Sequence, residues 1–113
     1  MDNVPRIIAY TGDTTVFPVE ITEEGIPVNL VGHVLSWIIS STRDTGNLVQ
    51  IDVSSHDDPT NGISSLTITP TNIVSCGGSG KYWLTGIDVV TATSTEITRV
   101  VVQFDIIDRV ARI

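Results

Sequence analysis

Apolar and polar residues alternate with a period of two along most of this chain, the pattern of β-strands that bury one face. The alternation predicts strands over 6–10, 16–21, 33–40, 48–53, 63–68, 81–90 and 99–106. Clusters of Gly, Asn, Asp, Ser and Thr separate these segments, as expected for turns. Short strands at this spacing predict an all-β protein, a single antiparallel sandwich of seven to eight strands.

The apolar residues on one face of each predicted strand should form the core. The large residues among them are Phe17, Trp37, Leu66, Tyr82 and Phe104. Trp37 lies in the middle of the longest alternating run before residue 50, so we expect it at the centre of the core. Phe104 occupies the matching position on the last strand, and the two aromatics should meet between the sheets.

Two prolines give further local structural information. Pro18 lies inside the segment 16–21, and because proline cannot donate to a strand ladder, this segment should form a sheet edge. Pro70 is suited to a first helical position, and the glycines that follow at 77 and 78 are suited to a helix end. The sequence therefore predicts a single helical or 3₁₀ turn over 70–75.

Composition supports the β assignment and restricts the partners. Val, Ile and Thr each occur 15 times in 113 residues, and β-branched side chains favour strands over helices. The net charge is −7 with only 6 Lys and Arg, so we expect no nucleic acid ligand, because phosphate binding needs clustered cations. We expect no membrane span and no signal peptide, and one domain over 1–113 with short terminal extensions at about 1–5 and 108–113.

No motif in the chain predicts catalysis or a cofactor. The most polar loop contains His56, Asp57 and Asp58, but it lacks the order of ligands in a calcium loop, and turn chemistry explains its polarity. Cys76 lacks an activating motif, and a lone cysteine is usually a small buried hydrophobe. The sequence therefore predicts no catalytic residue, no metal site and no cofactor.

Trp83 is the best candidate for a binding residue. If its neighbours Tyr82 and Leu84 point inward, Trp83 points outward, whereas the inverted register places it in the core. An outward tryptophan is a typical anchor in protein interfaces and also stacks on sugar rings. Apolar residues near the two ends of the chain, Val4, Val110 and Ile113, are further candidate contacts between subunits.

The order of the turn motifs resembles a phage protein domain. Tyr10-Thr11-Gly12-Asp13-Thr14 precedes a strand, Glu24-Gly25-Ile26-Pro27-Val28-Asn29-Leu30-Val31-Gly32 follows it, and Gly80-Lys81-Tyr82 opens a late strand. This order is similar to the Ig-like domain at the start of phage baseplate upper proteins and in related small virion structural proteins. The resemblance covers roughly residues 10 to 104 and does not extend to the receptor-binding half of those proteins.

The resemblance implies a non-catalytic structural component of a bacteriophage virion, in its tail or baseplate, assembled in the host cytoplasm. It also implies that the partners are other virion proteins and further copies of the chain, joined through edge strands and terminal segments. Two alternatives stay open. One is a capsid decoration protein, and the other is a carbohydrate-binding Ig-like module in which Trp83 or Tyr82 stacks on a sugar.

Overall fold

Two facing sheets and one short helix make up the computed structural model, which describes residues 6–42 and 46–108. The strands are β1 Arg6–Tyr10, β2 Thr15–Glu20, β3 Thr22–Glu23, β4 Ile26–Pro27, β5 His33–Ser40, β6 Asn47–Val53, β7 Ile63–Ile68, β8 Gly80–Val90 and β9 Thr95–Ile107. The helix α1 spans Pro70–Cys76, and a 3₁₀ turn spans Pro59–Asn61. The candidate contacts Val4, Val110 and Ile113 lie outside the described residues.

The two sheets differ in size. The large sheet has the order β1-β9-β8-β5-β6, the small sheet contains β2 and β7, and β3 and β4 form a separate two-residue hairpin. All pairs are antiparallel except that β1 runs parallel to β9, which differs from the purely antiparallel prediction. These two strands come from opposite ends of the chain, so no hairpin turn between them sets their relative direction.

The residues predicted to form the core lie between the sheets. Trp37, Leu66 and Phe104 are buried, while Phe17 and Tyr82 are half-buried and border the same cluster. Pro18 lies on β2, whose described partner is β7 alone, so it does occupy a sheet edge. The two-stranded sheet covers only part of the five-stranded one, which explains why side chains such as Phe17 keep some exposure.

Trp37 packs directly on the backbone of the neighbouring strand. A Cβ added to Gly86 of β8 would lie 2.6 Å from Cζ3 of Trp37 and 2.9 Å from its Cη2. The glycine therefore makes room for the indole, which is 3% exposed. The Trp37 Nε1 has no hydrogen-bond partner among the described residues, so this side chain stabilises the fold through packing alone.

The helix predicted over 70–75 is present as α1 and is fixed at both ends. Thr69 and Asn72 form a capping box in which each side chain receives a hydrogen bond from the backbone N–H of the other. The Tyr82 hydroxyl, on the following strand, donates to the carbonyl oxygens of Cys76 at 3.2 Å and Gly78 at 2.9 Å. Tyr82 thus ties the end of the helix to the large sheet.

A β-bulge interrupts β9 and changes where Arg99 points. Gly86 pairs with Val100 and Ile87 pairs with Thr98, which leaves Arg99 without a partner position on β8. Unbroken alternation along the predicted strand 99–106 would place Arg99 on the face opposite to Val100, which differs from the structure. The extra residue rotates the Arg99 side chain toward the inner side of the sheet, where it meets the buried Asp88.

Candidate interaction surface

The side of the large sheet that faces away from the small sheet carries an unusual number of apolar residues; we call it the outer face. Its positions alternate with the buried ones on each strand, so the registers of the five strands define it. Large apolar side chains recur on four of the five strands: Ile8, Tyr10, Val101, Trp83 and Ile38. The outer positions of β6 are the polar residues Gln50 and Asp52. A solvated sheet face is ordinarily polar at these positions, so this composition favours a contact surface.

Several of these side chains are substantially exposed. Tyr10 is 44% exposed and Ile8 41% on the edge strand β1. Trp83 on β8 and Ile38 on β5 are half-buried. The apolar area thus extends over several strands, is most exposed at the β1 edge and is not confined to one residue.

Charged side chains on the outer face are peripheral. Glu96 is at the hairpin end and Asp52 is on the edge strand. Lys81 and Asp105 are the exception: they stand opposite each other, and Asp105 is also opposite Ile8 of β1. Depletion of charge at the centre with aromatics present is typical of protein interfaces. With strands about 4.8 Å apart and about 3.3 Å per residue, five strands of seven or eight residues present on the order of 600 Å², close to the ~800 Å² that each partner contributes to a standard interface.

Trp83 lies on the outer face, as expected if Tyr82 and Leu84 point inward. Leu84 is buried, Tyr82 is half-buried against the helix end, and Trp83 alternates with them. Its ladder neighbours are Ser40 of β5 and Gln103 of β9. Trp83 also borders a shallow depression of about 200 Å³ that Lys81, Gln103 and Asp105 line, so an aromatic ring and polar groups are close together here.

A buried ionic network joins four elements on the inner side of the same sheet. Asp88 is fully buried; its Oδ1 lies 2.7 Å from His33 Nδ1 and its Oδ2 lies 3.1 Å from an Arg99 terminal nitrogen. Arg99 also donates to Glu23 of the β3–β4 hairpin at 2.8 Å. The hydrogen bond to Glu23, followed by the contacts with Asp88, raises the pKa of Arg99. The network anchors the hairpin to the large sheet.

A histidine–serine pair lies near this network. His56 Nδ1 is 2.8 Å from Ser64 Oγ, and His56 Nε2 is 2.9 Å from the carbonyl oxygen of His33. Because a carbonyl only accepts, Nε2 carries the hydrogen and Nδ1 accepts from the serine hydroxyl. Ser64 is 1% exposed, and neither hydrogen bond of His56 involves a carboxylate. The two bonds hold the loop before β7 against β5 and β7, which is a structural role.

The other polar candidates are placed as follows. Cys76 is buried at the end of α1, and burial raises the pKa of its thiol, which lowers the fraction of reactive thiolate. Asp58 accepts hydrogen bonds from Thr60 and Asn61 within its own turn. Over residues 6–42 and 46–108, no group of three or more His, Cys, Asp or Glu side chains is arranged to hold a metal ion. No helix in that part of the chain has the length and apolar character needed to cross a bilayer.

The structure brings together residues that the sequence pattern did not connect. Ile8 and Tyr10 join Trp83 on the outer face because β1 adds to β9, and a single-strand pattern carries no signal for that pairing. The Asp88 network was also missed. Its available signal was an aspartate between Ile87 and Val89 in an otherwise apolar strand, since a charge at such a position needs a buried partner.

Comparison with known proteins establishes the fold of the chain. No family model matches the chain, and no curated protein matches it. Among solved structures, the chain is similar to the NK cell receptor Nkp44, a triggering partner in natural cytotoxicity, with a TM-score of 0.53 and 16% identity over 96% of this chain and 100% of the receptor chain. The chain is therefore an all-β, Ig-like sandwich; an identity this low shows the fold alone.

Proposed function

We propose that the protein is a non-catalytic structural component of a bacteriophage virion that attaches to other particle proteins through the outer face of its large sheet. The observation that carries the binding role is the recurrence of large apolar side chains on the outer face, from Tyr10 and Ile8 to Trp83 and Ile38. The sequence motifs that resemble baseplate upper proteins support the phage assignment and favour the tail or baseplate. Both buried polar clusters are occupied by structural hydrogen bonds, which supports a binding role over a catalytic one.

Incorporation into particles tests this proposal. The measurement is quantitative mass spectrometry of purified particles of the phage that encodes the chain, with separated tails and heads to distinguish a baseplate component from a capsid decoration protein. We expect a fixed copy number relative to the major particle proteins. Absence of the chain from the particles would contradict the proposal, and presence on heads alone would select the decoration alternative.

Substitutions on the outer face test whether this surface is the one through which the protein attaches to the particle. Trp83→Ala and Tyr10→Ala should each reduce incorporation at least tenfold, because truncating an aromatic anchor typically costs about 2 kcal/mol or more of binding energy. Val16→Ala is the matched control, since Val16 is 59% exposed on the small sheet and should incorporate fully. Melting curves check that the variants are folded. Full incorporation of both folded aromatic variants would remove the outer face from the proposal.

The terminal segment 108–113 stays a predicted joint. Deleting it removes Val110 and Ile113, and we expect weaker incorporation with an almost unchanged melting curve. Full incorporation of the truncated chain would limit the joint to the sheet.

A carbohydrate-binding function is the second candidate, supported by the depression that Trp83 borders together with Lys81, Gln103 and Asp105. Aromatic stacking plus neighbouring polar groups is the chemistry that binds a sugar ring. A glycan array followed by calorimetry tests it. Binding of a soluble glycan that Trp83→Ala abolishes, in a chain absent from particles, would favour this function over the structural one.

A further inference from the structure

The edge strand β6 differs from the other sheet edges in being open to pairing. It has seven residues, Asn47–Val53, contains no proline and only one charge, and pairs with β5 alone within the described chain. Unpaired backbone groups on such an edge are a template for a further strand. Proteins ordinarily cover such an edge, which prevents aggregation, or pair it with a strand of another chain.

The other edges are protected or short. β2 carries Pro18, which has no N–H to offer. β7 begins at Ile63, whose N–H and carbonyl both bond to Asp58 at 3.0 Å on the side away from β2. β1 has five residues and follows Pro5. Within residues 46–53 no proline or bridging residue blocks the backbone of β6, although the helix α1 contacts this strand. β6 is therefore the longest edge strand of the two sheets that carries no proline, and we take it as the edge available for pairing.

The sequence of β6 is self-complementary about Ile51. In an antiparallel pair of two copies centred there, Ile51 stands opposite Ile51, Val49 opposite Val53, and Gln50 opposite Asp52. The first two pairs are apolar and lie on the inner side, where all three residues already pack against the core. The third pair places an amide donor beside a carboxylate on the outer side, as favourable cross-strand pairs require.

The charge on β6 is compatible with this pairing. Asp52 accepts from Ser36 Oγ at 2.7 Å and from Gln50 Nε2 at 3.0 Å, so its hydrogen-bond donors are neutral. In the symmetric pair the two Asp52 positions lie two residues apart along the strands, roughly 8 Å from each other. That separation is about one Debye length at physiological ionic strength, so their repulsion is weak and screened.

We propose that two copies of the chain associate through their β6 strands, antiparallel about a two-fold axis at Ile51, so that the two large sheets become one continuous ten-stranded sheet. A two-fold joint of this kind uses the same surface on both copies and closes after two. Association would also join the two outer faces into one surface. The inference goes beyond the proposed virion role and does not depend on it, because it concerns purified protein.

Cysteine cross-linking tests the register, in a Cys76→Ala background that removes the native thiol. Opposite Cα atoms in an antiparallel pair lie about 4.5–5.5 Å apart, within the range that a disulfide spans. Ile51→Cys should therefore form a disulfide-linked dimer under mild oxidation. Gln50→Cys is the matched control, because its two copies would lie roughly 8 Å apart and should not cross-link.

A second pair of variants keeps the test valid if Ile51→Cys fails to fold. Gln50→Cys mixed with Asp52→Cys should give the mixed dimer, and both positions are exposed, so the fold is unaffected. Sedimentation equilibrium of the unmodified chain should show a concentration-dependent dimer. Asp52→Asn should leave its dissociation constant almost unchanged, because the repulsion that it removes is weak and screened.

Three results would overturn the proposal. The first is a monomer at all concentrations up to about 1 mM. The second is cross-linking of Gln50→Cys as fast as that of the mixed pair, which would show non-specific collision. The third is a dimer that Trp83→Ala abolishes, which would place the joint on the outer face. A dimer that meets the register test in a chain absent from phage particles would leave this inference standing while refuting the proposed virion role.

Discussion

The buried carboxylate Asp88 should contribute far more to stability than its exposed counterpart Glu23, although Arg99 binds both. Asp88 is fully buried, whereas the Glu23 side chain is 66% exposed and Arg99 is 12% exposed. Removing Asp88 leaves the guanidinium largely desolvated, with Glu23 as its remaining carboxylate contact, and leaves His33 without its acceptor. Breaking a buried pair in this way typically costs about 3–5 kcal/mol.

The exposed arm of the network should contribute little. An ion pair with a solvent-exposed carboxylate is typically worth about 0.2–1 kcal/mol. Glu23→Ala is therefore the matched control for Asp88→Ala, because both variants remove one carboxylate from the same arginine. A domain of this size has a total stability of about 5–15 kcal/mol, so Asp88→Ala should lose about a fifth or more of it.

Urea denaturation at neutral pH, followed by tryptophan fluorescence, measures both effects. With a slope of about 1–1.5 kcal/mol per molar urea, Asp88→Ala should lower the midpoint by about 2–5 M, and Glu23→Ala by less than about 1 M. The double variant Asp88→Ala with Arg99→Ala should recover part of the loss, because no unpaired charge remains. Equal midpoint shifts for Asp88→Ala and Glu23→Ala would refute the reasoning that burial sets the energy.

Three further predictions concern the core. Gly86→Ala should cost about 1–3 kcal/mol of stability, measured by urea denaturation, because the new Cβ meets the Trp37 ring; an unchanged midpoint would contradict that packing. Trp37→Ala and Phe104→Ala should each cost about 3–5 kcal/mol and give insoluble or loosely packed protein, and near-parental midpoints for both would contradict their burial. Cys76 should react slowly with a thiol reagent at pH 8 and rapidly in denaturant, because burial raises its pKa; equal rates in both conditions would refute its burial.

The local elements of the fold could be predicted from the sequence. The period-two pattern gave the long strands within a few residues, and the proline and glycine positions gave the helix α1. Trp37 and Phe104 were assigned to the core from alternation alone and are 3% and 0% exposed. These features depend on neighbours in the chain, which is why a single sequence contains them.

The long-range features could not be predicted in this way. The parallel addition of β1 to β9 and the restriction of the small sheet to two strands depend on contacts between distant segments. The bulge at Arg99 inverted a predicted face because one extra residue shifts the alternation.

The candidate surface combines a predicted residue with unpredicted ones. Trp83 was singled out from the alternation of three residues, and it does lie on the outer face. The extension of that face to Tyr10 required the order of the strands. A surface formed by five strands is a property of sheet topology, so a strand-by-strand pattern identifies its members one at a time but not their association.

Association through β6 should make the melting temperature depend on protein concentration. A ligand that binds only the folded state stabilises it by about 2.7 kcal/mol when present at 100 times its dissociation constant, and a second copy acts in the same way. For a domain of this size that corresponds to a rise of about 10 °C in the melting temperature, measurable by calorimetry between micromolar and millimolar protein. Ile51→Lys, which places two like charges at the two-fold axis, should melt at a temperature independent of concentration. An unmodified chain whose melting temperature is equally constant would show that the edge strand is unpaired in solution, and the ten-stranded sheet would have to be abandoned.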